Sequence, residues 1–548
     1  MMGRPAGAPL REGNETRRPF LTVSNRRLAC LFLGLTGIAP FLVSSKLGLI
    51  DPFTHGFVSA SILLLNAGHL NLHSSPIEFV PASSFLVGTV SLMTGIDPVS
   101  LEYIPFAGPL GFASAYLLGR RVFRNHLVAL LIANVVSYRF FAFWLYSIWP
   151  HAIGHALFLL FVSTLLLPAA KQPAKLLVLW ILYVAINFYS YTTELWIWVL
   201  LGTILMVAWA RTRLDPQAKL NAWKPFSVSI LTASVVLFLG FNQTLYGGYL
   251  PRLSTIQSEL VTGVEYYIST IFKSSPPVPY AWIPPPSPWF LTLLQIIWFA
   301  MTFGPIVLIL RYVRGFRPAR HWLARLTRLQ ILGGALITVW LADIFVYIPI
   351  GGFKASLLRV PILTWPYLSL LLITDLRSVR TRWQTGTRAP RPHGLFYSGA
   401  LMIVSVSIFS LTITGAFFVE SPSHYASAVP SAEWLHDHRA VTTFVYSDQN
   451  TEGQYSIVFA RHNLFLDPNH LFRQDSFSSL VNPPSTDGAD DFFRGAVVVI
   501  NLDLVTSQTS AGGWIDFEPL APHLQAIDSN INLAQVYNDG HTWILVGA

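Results

Sequence analysis

The chain has 548 residues, of which 53% are hydrophobic and only 11% are charged. Ordinary soluble proteins carry roughly 25% charged residues, so a single soluble core does not account for this composition. The lone cysteine, Cys30, excludes an internal disulfide, a cysteine-based zinc finger and a redox pair. The formal net charge of +9 raises the question of nucleic-acid binding, but the basic residues cluster in a pattern that membrane topology explains.

Long apolar runs recur from Leu28 to Phe418. A helix of about 20 apolar residues crosses a bilayer core of about 30 Å, and its backbone groups pair internally. We therefore predict a mainly α fold: a polytopic transmembrane helical bundle of about 11 helices, followed by a small extracytoplasmic α/β domain. The predicted spans are 28–48, 101–119, 126–142, 150–168, 174–190, 193–210, 226–246, 288–310, 329–350, 360–376 and 396–418.

Most of the 36 basic residues fall on one side of these spans. The basic segments are 1–27, 120–124, 171–175, 211–224, 311–328 and 377–391. By the positive-inside rule this side is cytoplasmic, which predicts a multi-pass plasma-membrane protein with its N-terminus inside and its C-terminus outside. No A-x-A cleavage site follows the first apolar run, so the N-terminal segment is predicted to be an uncleaved anchor that begins with a cytoplasmic basic arm over 1–27. The transmembrane domain is predicted as 28–418, and no nucleic-acid partner is predicted.

The composition becomes more polar after Phe418, which predicts a separate domain over 419–548. Its predicted strands are Thr442 to Tyr446, Tyr455 to Ala460, Ala496 to Leu502, Leu533 to Tyr537 and Thr542 to Val546. The last two flank Asn538-Asp539-Gly540, a hairpin turn signal. Neither a nucleophile motif nor a phosphate loop is present, so we expect this domain to bind or brace rather than catalyse.

The first outer loop, 49–100, carries the strongest candidate for chemistry. Asp51 and His55 directly follow the first span, and Pro52 favours an extended Asp51 before a new helix. The rest of the loop is apolar enough to form one or two interfacial helices that roof a cavity at the membrane edge. A simple helix-cap role for Asp51 and His55 stays open.

Ionisable groups near the outer ends of the spans are further candidates, because such groups are costly at membrane depth. They are Glu102, His151, His155, Glu194 and Asp343. His151 and His155 are four residues apart and share a helix face, which suits two metal ligands. Ordinary buried or pore-facing histidines are the commoner explanation of such a pair.

Lys354 and Arg359 stand on a predicted outer loop, although most basic residues are predicted to be cytoplasmic. An arginine fork binds phosphate oxygens, so a lipid phosphate in the outer leaflet would explain their position. Interfacial snorkelling explains it equally well.

Four short motifs resemble one family: Asp51 to His55, the stretch His73 to Pro81 with Leu117 to Arg121, Phe188 to Thr193, and Val536 to Ile544. The family is the GT-C membrane glycosyltransferases, which include oligosaccharyltransferases and protein O-mannosyltransferases. The resemblance implies many transmembrane helices, a polyprenyl-phosphate-linked sugar donor and a catalytic aspartate in the first outer loop. A paired carboxylate in that loop and a Trp-Trp-Asp-Tyr-Gly motif in the tail are absent. These departures count against N-glycan transfer to protein, and they leave open whether a divalent cation, Mg or Mn, takes part.

The resemblance implies transfer of a sugar, with inversion, to an outer-surface acceptor that is a glycan, a lipid or a protein. Asp51 would be the general base, and His55 or Glu194 would orient it or the acceptor. Arg359 and Lys354 would stabilise the leaving phosphate. The remaining predicted substrate-binding residues are Glu102, Tyr191, His151, His155 and Asp343.

Two other functions stay open. A transporter or flippase of a lipid-linked saccharide would use the same groups as a substrate path, although the sequence shows neither inverted repeats nor paired broken helices. A non-catalytic scaffold for cell-envelope assembly would use the outer domain to dock partners.

Overall fold

The computed structural model describes much of the chain, and its described residues are mostly helical, as predicted. These residues are 27–35, 53–67, 82–102, 106–123, 125–136, 150–167, 172–214, 306–310, 326–342, 422–438, 445–447, 449–462, 472–473, 497–502 and 533–547, with a few isolated positions.

Helices fill the first part of the described chain, and strands occur only after residue 444 within it. The helices are α1 Phe53–Ala67, α2 Ala82–Thr94, α3 Pro98–Glu102, α4 Ala107–Phe123, α5 His126–Val136, α6 Pro150–Leu165, α7 Gln172–Tyr189, α8 Tyr191–Leu214, α9 Arg328–Ala342, α10 Pro422–His438 and α11 Gln449–Arg461. The strands are β1 Val445–Tyr446, β2 Phe472–Arg473, β3 Val497–Asn501, β4 Leu533–Asn538 and β5 Thr542–Gly547.

The described helices differ in length from the predicted spans. Within the described residues, none is by itself both long and apolar enough to cross a bilayer. Together, α2 and the stretch Pro98–Phe123 reach that length and hydropathy, with a bend of 120° between them.

The helix predicted to begin at residue 101 begins instead at Ala107, and Glu102 ends the separate short helix α3. Pro105 stands between the two helices. Proline has no N–H to donate and clashes with the preceding turn, so the apolar run cannot continue as one helix.

The bundle packs around α6, which is apolar on almost every side and buried along most of its length. Its Phe158 and Phe161, with Tyr183 of α7, are among the largest fully buried side chains. Small residues let neighbouring helices approach closely: a β-carbon on Gly119 of α4 would lie 2.8 Å from the Cα of Ala129 in α5.

Basic side chains gather at one end of this bundle, which we call the basic end. Lys175 Nζ donates hydrogen bonds to the carbonyl oxygens of Leu165 at 2.6 Å and Leu167 at 3.0 Å. Arg121 donates to the carbonyl of Ser163, and Arg211 donates to that of Leu326 at 3.3 Å. Ser163, Leu165 and Leu167 lie at the end of α6, where the last carbonyls of the helix lack internal partners and carry partial negative charge, so Lys175 and Arg121 are stabilising there.

The opposite end, which we call the junction end, follows from the chain directions. Because α6 ends at the basic end, it begins at the junction end, where α7 ends and α8 begins. Because α4 runs toward Arg120 and Arg121 in its last turn, its start and the preceding α3 lie toward the junction end. Helices α1 and α2 belong to the segment predicted as the first outer loop, and we call them the outer-loop helices. They pack on α3 and on each other.

The C-terminal strands form one five-stranded sheet in the order β2-β1-β3-β5-β4. Strand β1 is parallel to both β2 and β3, whereas β5 is antiparallel to β3 and β4. The predicted hairpin is confirmed: Gly540 has a φ of 86°, and Asp539 Oδ1 accepts from the N–H of Thr542 at 2.7 Å. Whether residues 419–548 form an independent extracytoplasmic domain stays a prediction.

The predicted strand Tyr455 to Ala460 is wrong, because these residues lie in helix α11. The run was interpreted as a strand because it is rich in β-branched and aromatic residues. In the helix, Tyr455, Val458 and Phe459 pack on the C-terminal core, while Ile457 and Ala460 pack on the outer-loop helices. Burial on two faces removed the polar positions that usually reveal helical periodicity.

The hairpin gives a prediction about alkaline pH. Tyr537 Oη donates a hydrogen bond to Asp539 Oδ2 at 3.0 Å. Partial burial, aided by this bond and by the Asp539 charge, raises the pKa of Tyr537 from 10.0 to about 12. Because the folded pKa exceeds the unfolded one, the stability that this tyrosine contributes is complete below the unfolded pKa of 10.0 and is lost as the pH approaches about 12.

The measurement is the tyrosinate absorbance of the native protein minus that of the Tyr537→Phe variant, followed through an alkaline titration. We expect one phenol that ionises near pH 12. A difference curve centred at the ordinary value of 10.0 would contradict the assignment.

Candidate functional site

The predicted site residues fall into three groups in the structure. Asp51, Asp343, Lys354 and Arg359 lie outside the described residues. His55, His151, Tyr191 and Glu194 have described helical backbones, in the first turns of α1, α6 and α8. Glu102 and His155 are described with their side chains, and both are buried.

Polar side chains meet at the junction where α7 ends and α8 begins, with Ser190 alone between the two helices. The N–H of Ser190 donates to the carbonyl of Ile186 at 2.7 Å, so Ser190 still closes α7. Its Oγ accepts from the N–H of Thr193 at 3.2 Å and from Thr193 Oγ1 at 2.8 Å. Ser190 is therefore the N-cap of α8, which satisfies one of the backbone donors at that helix end.

Helix α6 presses against this junction through a glycine. A β-carbon on Gly154 would lie 2.6 Å from Ser190 Cβ and 3.3 Å from Thr193 Oγ1. Only glycine permits so close an approach, so the first turn of α6 lies directly beside the start of α8. The two first turns carry His151 on α6, and Tyr191 and Glu194 on α8.

His155 lies one residue beyond this contact and faces α8. Its ring centroid is 4.4 Å from that of Trp196, and Trp196 is in turn 5.9 Å from Phe158 in an edge-to-face contact. His155 is 4% exposed, and Ser190 and Thr193 are fully buried. An imidazole and two hydroxyls thus lie in an apolar surrounding, where hydrogen bonds and charge interactions are stronger than in water.

The start of α8 also has an electrostatic consequence. The N-terminus of a helix carries partial positive charge and stabilises negative charge in its first turn. The backbone of Glu194 lies in that turn.

Glu102 belongs to a different part of the junction end. It is 1% exposed at the end of α3, next to Leu101, which packs with Val58 of α1, Val87 of α2 and Ile457 of α11. The structure therefore brings His155 together with the α7–α8 junction, and it places Glu102 among the outer-loop helices.

Two contributors to the junction did not come from sequence reasoning: Gly154 and Trp196. Trp196 follows Ser190 closely in an apolar run, and Gly154 separates two residues of α6 that face the core, so neither stands out in the sequence. The sequence does contain a signal for the Ser190 cap. A serine before an apolar run, with a polar residue three positions later, is typical of a helix start.

Within the described residues, no group of three or more His, Cys, Asp or Glu side chains is placed to hold a metal ion. His151 and His155 are one turn apart on α6, and the described part of the chain adds no third ligand to them. The use of Mg or Mn stays a prediction.

The solved structures that are similar to this chain include two of ArnT and one of an oligosaccharyltransferase. ArnT from Cupriavidus metallidurans bound to undecaprenyl phosphate is 15% identical with a TM-score of 0.42, and the match covers 94% of this chain and 98% of that one. ArnT in the apo state is 14% identical with a TM-score of 0.46, covering 94% and 97%. The Archaeoglobus fulgidus oligosaccharyltransferase in complex with Zn and sulfate is 13% identical with a TM-score of 0.48, covering 88% and 69%.

These matches are likenesses to the kind of protein that the sequence motifs resemble. At such low identities and TM-scores they carry no argument about the activity of this chain, its substrates or the role of any residue. No protein-family model and no curated protein matches the chain.

The contact of Gly154 with the junction gives a prediction with a matched control. In Gly154→Ala, the new methyl group meets Ser190 within the core, and overpacking of this kind costs about 1–3 kcal/mol. Gly202 lies on α8, and a β-carbon added there would meet no atom within 4 Å, so Gly202→Ala is expected to gain about 0.5–1 kcal/mol from helix propensity.

The measurement is the thermal or denaturant unfolding of the two variants and the native chain in the same lipid or detergent. We expect the free energy of unfolding to fall in Gly154→Ala and to rise in Gly202→Ala, each relative to the native chain. Equal stability of the two variants would show that α6 does not contact the junction as described.

Proposed function

We propose that this chain is a membrane glycosyltransferase that moves a sugar from a polyprenyl-phosphate-linked donor to an acceptor on the outer surface. The acceptor class is a glycan, a lipid or a protein. The chain would have a cytoplasmic arm over 1–27, a transmembrane GT-C-like domain over 28–418 and an extracytoplasmic domain over 419–548, in the plasma membrane.

The observation that carries the proposal is where the candidate residues lie relative to the basic end. Helix α1 begins at Phe53, two residues after Asp51 in the chain, and packs on α3 toward the junction end. The first turns with His151, Tyr191 and Glu194, and the buried His155, belong to that same end. Arg120, Arg121 and Lys175 lie at the opposite end. A chemically polar end opposite a basic end is the arrangement that outer-surface transfer requires under the positive-inside rule.

The sides of the bundle support the membrane part of the proposal. Leu177 and Ile181 on α7 are 61% and 59% exposed, and Met206 and Trp209 on α8 are 63% and 58% exposed. These pairs stand four and three residues apart, so each forms a stripe on its helix. Lipid would cover these exposed apolar side chains.

The reaction that fits is a single displacement. Asp51 would accept the proton of the acceptor hydroxyl, whose oxygen attacks the anomeric carbon. The bond from that carbon to the phosphate oxygen breaks, polyprenyl phosphate departs with the electron pair, and the configuration inverts. Arg359, with Lys354, would stabilise the phosphate charge.

The remaining candidates would hold the substrates. His55 or Glu194 would orient Asp51 or the acceptor, since both stand in first turns of helices. Tyr191, His151 and His155 would line the acceptor path beside the α7–α8 junction. Glu102 and Asp343 would bind sugar hydroxyl groups, because carboxylates are strong hydrogen-bond acceptors.

The test is sugar transfer from a radiolabelled polyprenyl-phosphate monosaccharide by the purified protein in lipid. We expect Asp51→Asn to lower the rate by about 10²–10⁴-fold, which is the contribution of a general base. Asp437→Asn is the matched control, since Asp437 is an exposed carboxylate of the C-terminal region. The control should keep the native rate.

Transfer that survives in Asp51→Asn would overturn the role of this residue. If the native chain consumes no donor, the proposed glycosyltransferase activity is overturned. If the donor crosses the bilayer unchanged, the flippase function is established instead.

His155 allows a second test that separates packing from binding. Phenylalanine keeps a ring against Trp196 but removes both imidazole nitrogens, so the unfolding of His155→Phe is measured beside its kinetics. We expect its KM for the acceptor to rise about tenfold, since a lost hydrogen bond to a polar substrate costs about 0.5–1.5 kcal/mol or more. An unchanged KM would mean that His155 serves packing alone.

A further inference from the structure

Helix α11 connects two parts of the molecule that are far apart in sequence. One face, with Tyr455, Val458 and Phe459, is buried in the core of the C-terminal sheet. The other face carries Ile457 and Ala460, which are fully buried against the outer-loop helices. Each set follows the helical spacing of three and four residues, so a single rigid helix serves both interfaces.

The outer-loop side of this contact includes the helix that follows Asp51. Val58, Ile62 and Leu63 of α1 share one buried apolar cluster with Ile457 and Ala460. Val58 is fully buried in this cluster, so the contact between α1 and α11 is part of a packed core. Helix α1, Phe53–Ala67, therefore packs partly on α11, Gln449–Arg461, which lies far later in the chain.

Two further contacts hold the outer loop in this arrangement. Ser61 Oγ donates to the carbonyl of Ser84 at 2.9 Å, which joins α1 to α2. Arg461 Nη2 of α11 pairs with Asp97 Oδ2 at 3.0 Å, just before α3. Both partners of this ion pair are partly exposed, so the pair specifies the docking position more than it adds stability.

A catalytic carboxylate must be held closely, because a displacement of about 1 Å can lower a rate by about 10²-fold. Asp51 stands two residues before α1, and His55 lies in its first turn. Any change in the position of α1 therefore acts directly on this segment. Interior packing is dense, so a larger side chain between α11 and α1 must move one of them.

We propose that α11 is a positioning element for the catalytic loop, with Ile457 and Ala460 as positioning residues that fix α1 and thereby the Asp51 segment. This rests on the proposed glycosyltransferase function for its effect on rate. The contact itself does not depend on that function. The C-terminal region thus sets the rate of the reaction without contributing a group to it.

The test is Ala460→Trp, which places a large ring between α11 and α1. Its matched control is Ala534→Trp, the same change at an exposed position of β4. Two quantities are measured on the full-length protein in lipid: steady-state sugar transfer, and hydrogen exchange of the peptides that contain residues 53–67 and 497–501.

We expect Ala460→Trp to lower kcat about tenfold or more while the donor KM changes less than about twofold, because binding groups elsewhere are untouched. Exchange within 53–67 should accelerate at least about tenfold, and exchange within β3 should stay native, because the sheet core lies on the other face of α11. Ala534→Trp should match the native chain in every readout.

Ile457→Ala serves as the second variant where Ala460→Trp fails to fold, because it removes contact without adding volume. Val536→Ala is its control, since Val536 is 43% exposed in β4. The expected pattern is the same, with a smaller effect.

The outcomes separate the inference from the proposed function. Native exchange within 53–67 in a folded Ala460→Trp or Ile457→Ala variant overturns the positioning role, whatever the activity. Faster exchange with unchanged kcat overturns it as well. Faster exchange in a protein whose native form transfers no sugar overturns the glycosyltransferase and leaves the α11–α1 coupling standing.

Discussion

Helix ends that are buried away from water must find partners for their last carbonyls and first N–H groups within the protein. This requirement gives the bundle two chemically different ends. At one end, the long side chains of Arg121, Lys175 and Arg211 reach back to carbonyl oxygens. At the other, Ser190 caps α8 with its own hydroxyl and lets α7 and α8 join through a single residue. The difference between the ends is the basis for assigning a side to each.

The compact cap has a further consequence, because it leaves room for another helix. Arginine or lysine at Ser190 would occupy the space that Gly154 of α6 now enters. The glycine and the serine are thus a matched pair, and their contact brings His155 beside Trp196. Local capping chemistry therefore determines which aromatic and polar groups become neighbours at the junction.

The parts of this structure that the sequence predicted are those set by local interactions. The hairpin at Asn538-Asp539-Gly540 follows from turn chemistry, and the grouping of basic residues at one end follows from charge. Helices α6 and α7 begin close to the predicted positions because proline and basic residues mark their starts. Glu102 and His155 were predicted as candidates because an ionisable side chain is costly at membrane depth. Both side chains are buried in the structure.

What the sequence could not predict depends on contacts between distant residues. The segment from Tyr455 to Ala460 has strand-like composition, and only its two partners, the C-terminal sheet and α1, make it a helix. The contact of His155 with Trp196 likewise joins two helices, α6 and α8. The local sequence of either helix does not predict how the two are placed relative to each other. Pro105 did carry a local signal, which ended one helix and isolated α3, and the apolar run obscured it.

The junction end is therefore restrained in two independent ways. Inside the bundle, Ser190 and Gly154 fix the first turns of α6 and α8 through short-range chemistry that tolerates little change. Outside it, α11 fixes α1 through apolar packing, which depends on shape and tolerates replacement by other apolar residues of similar volume. A chain built in this way can vary its C-terminal region, and with it the placement of the first outer loop, while the bundle keeps the same helix junction.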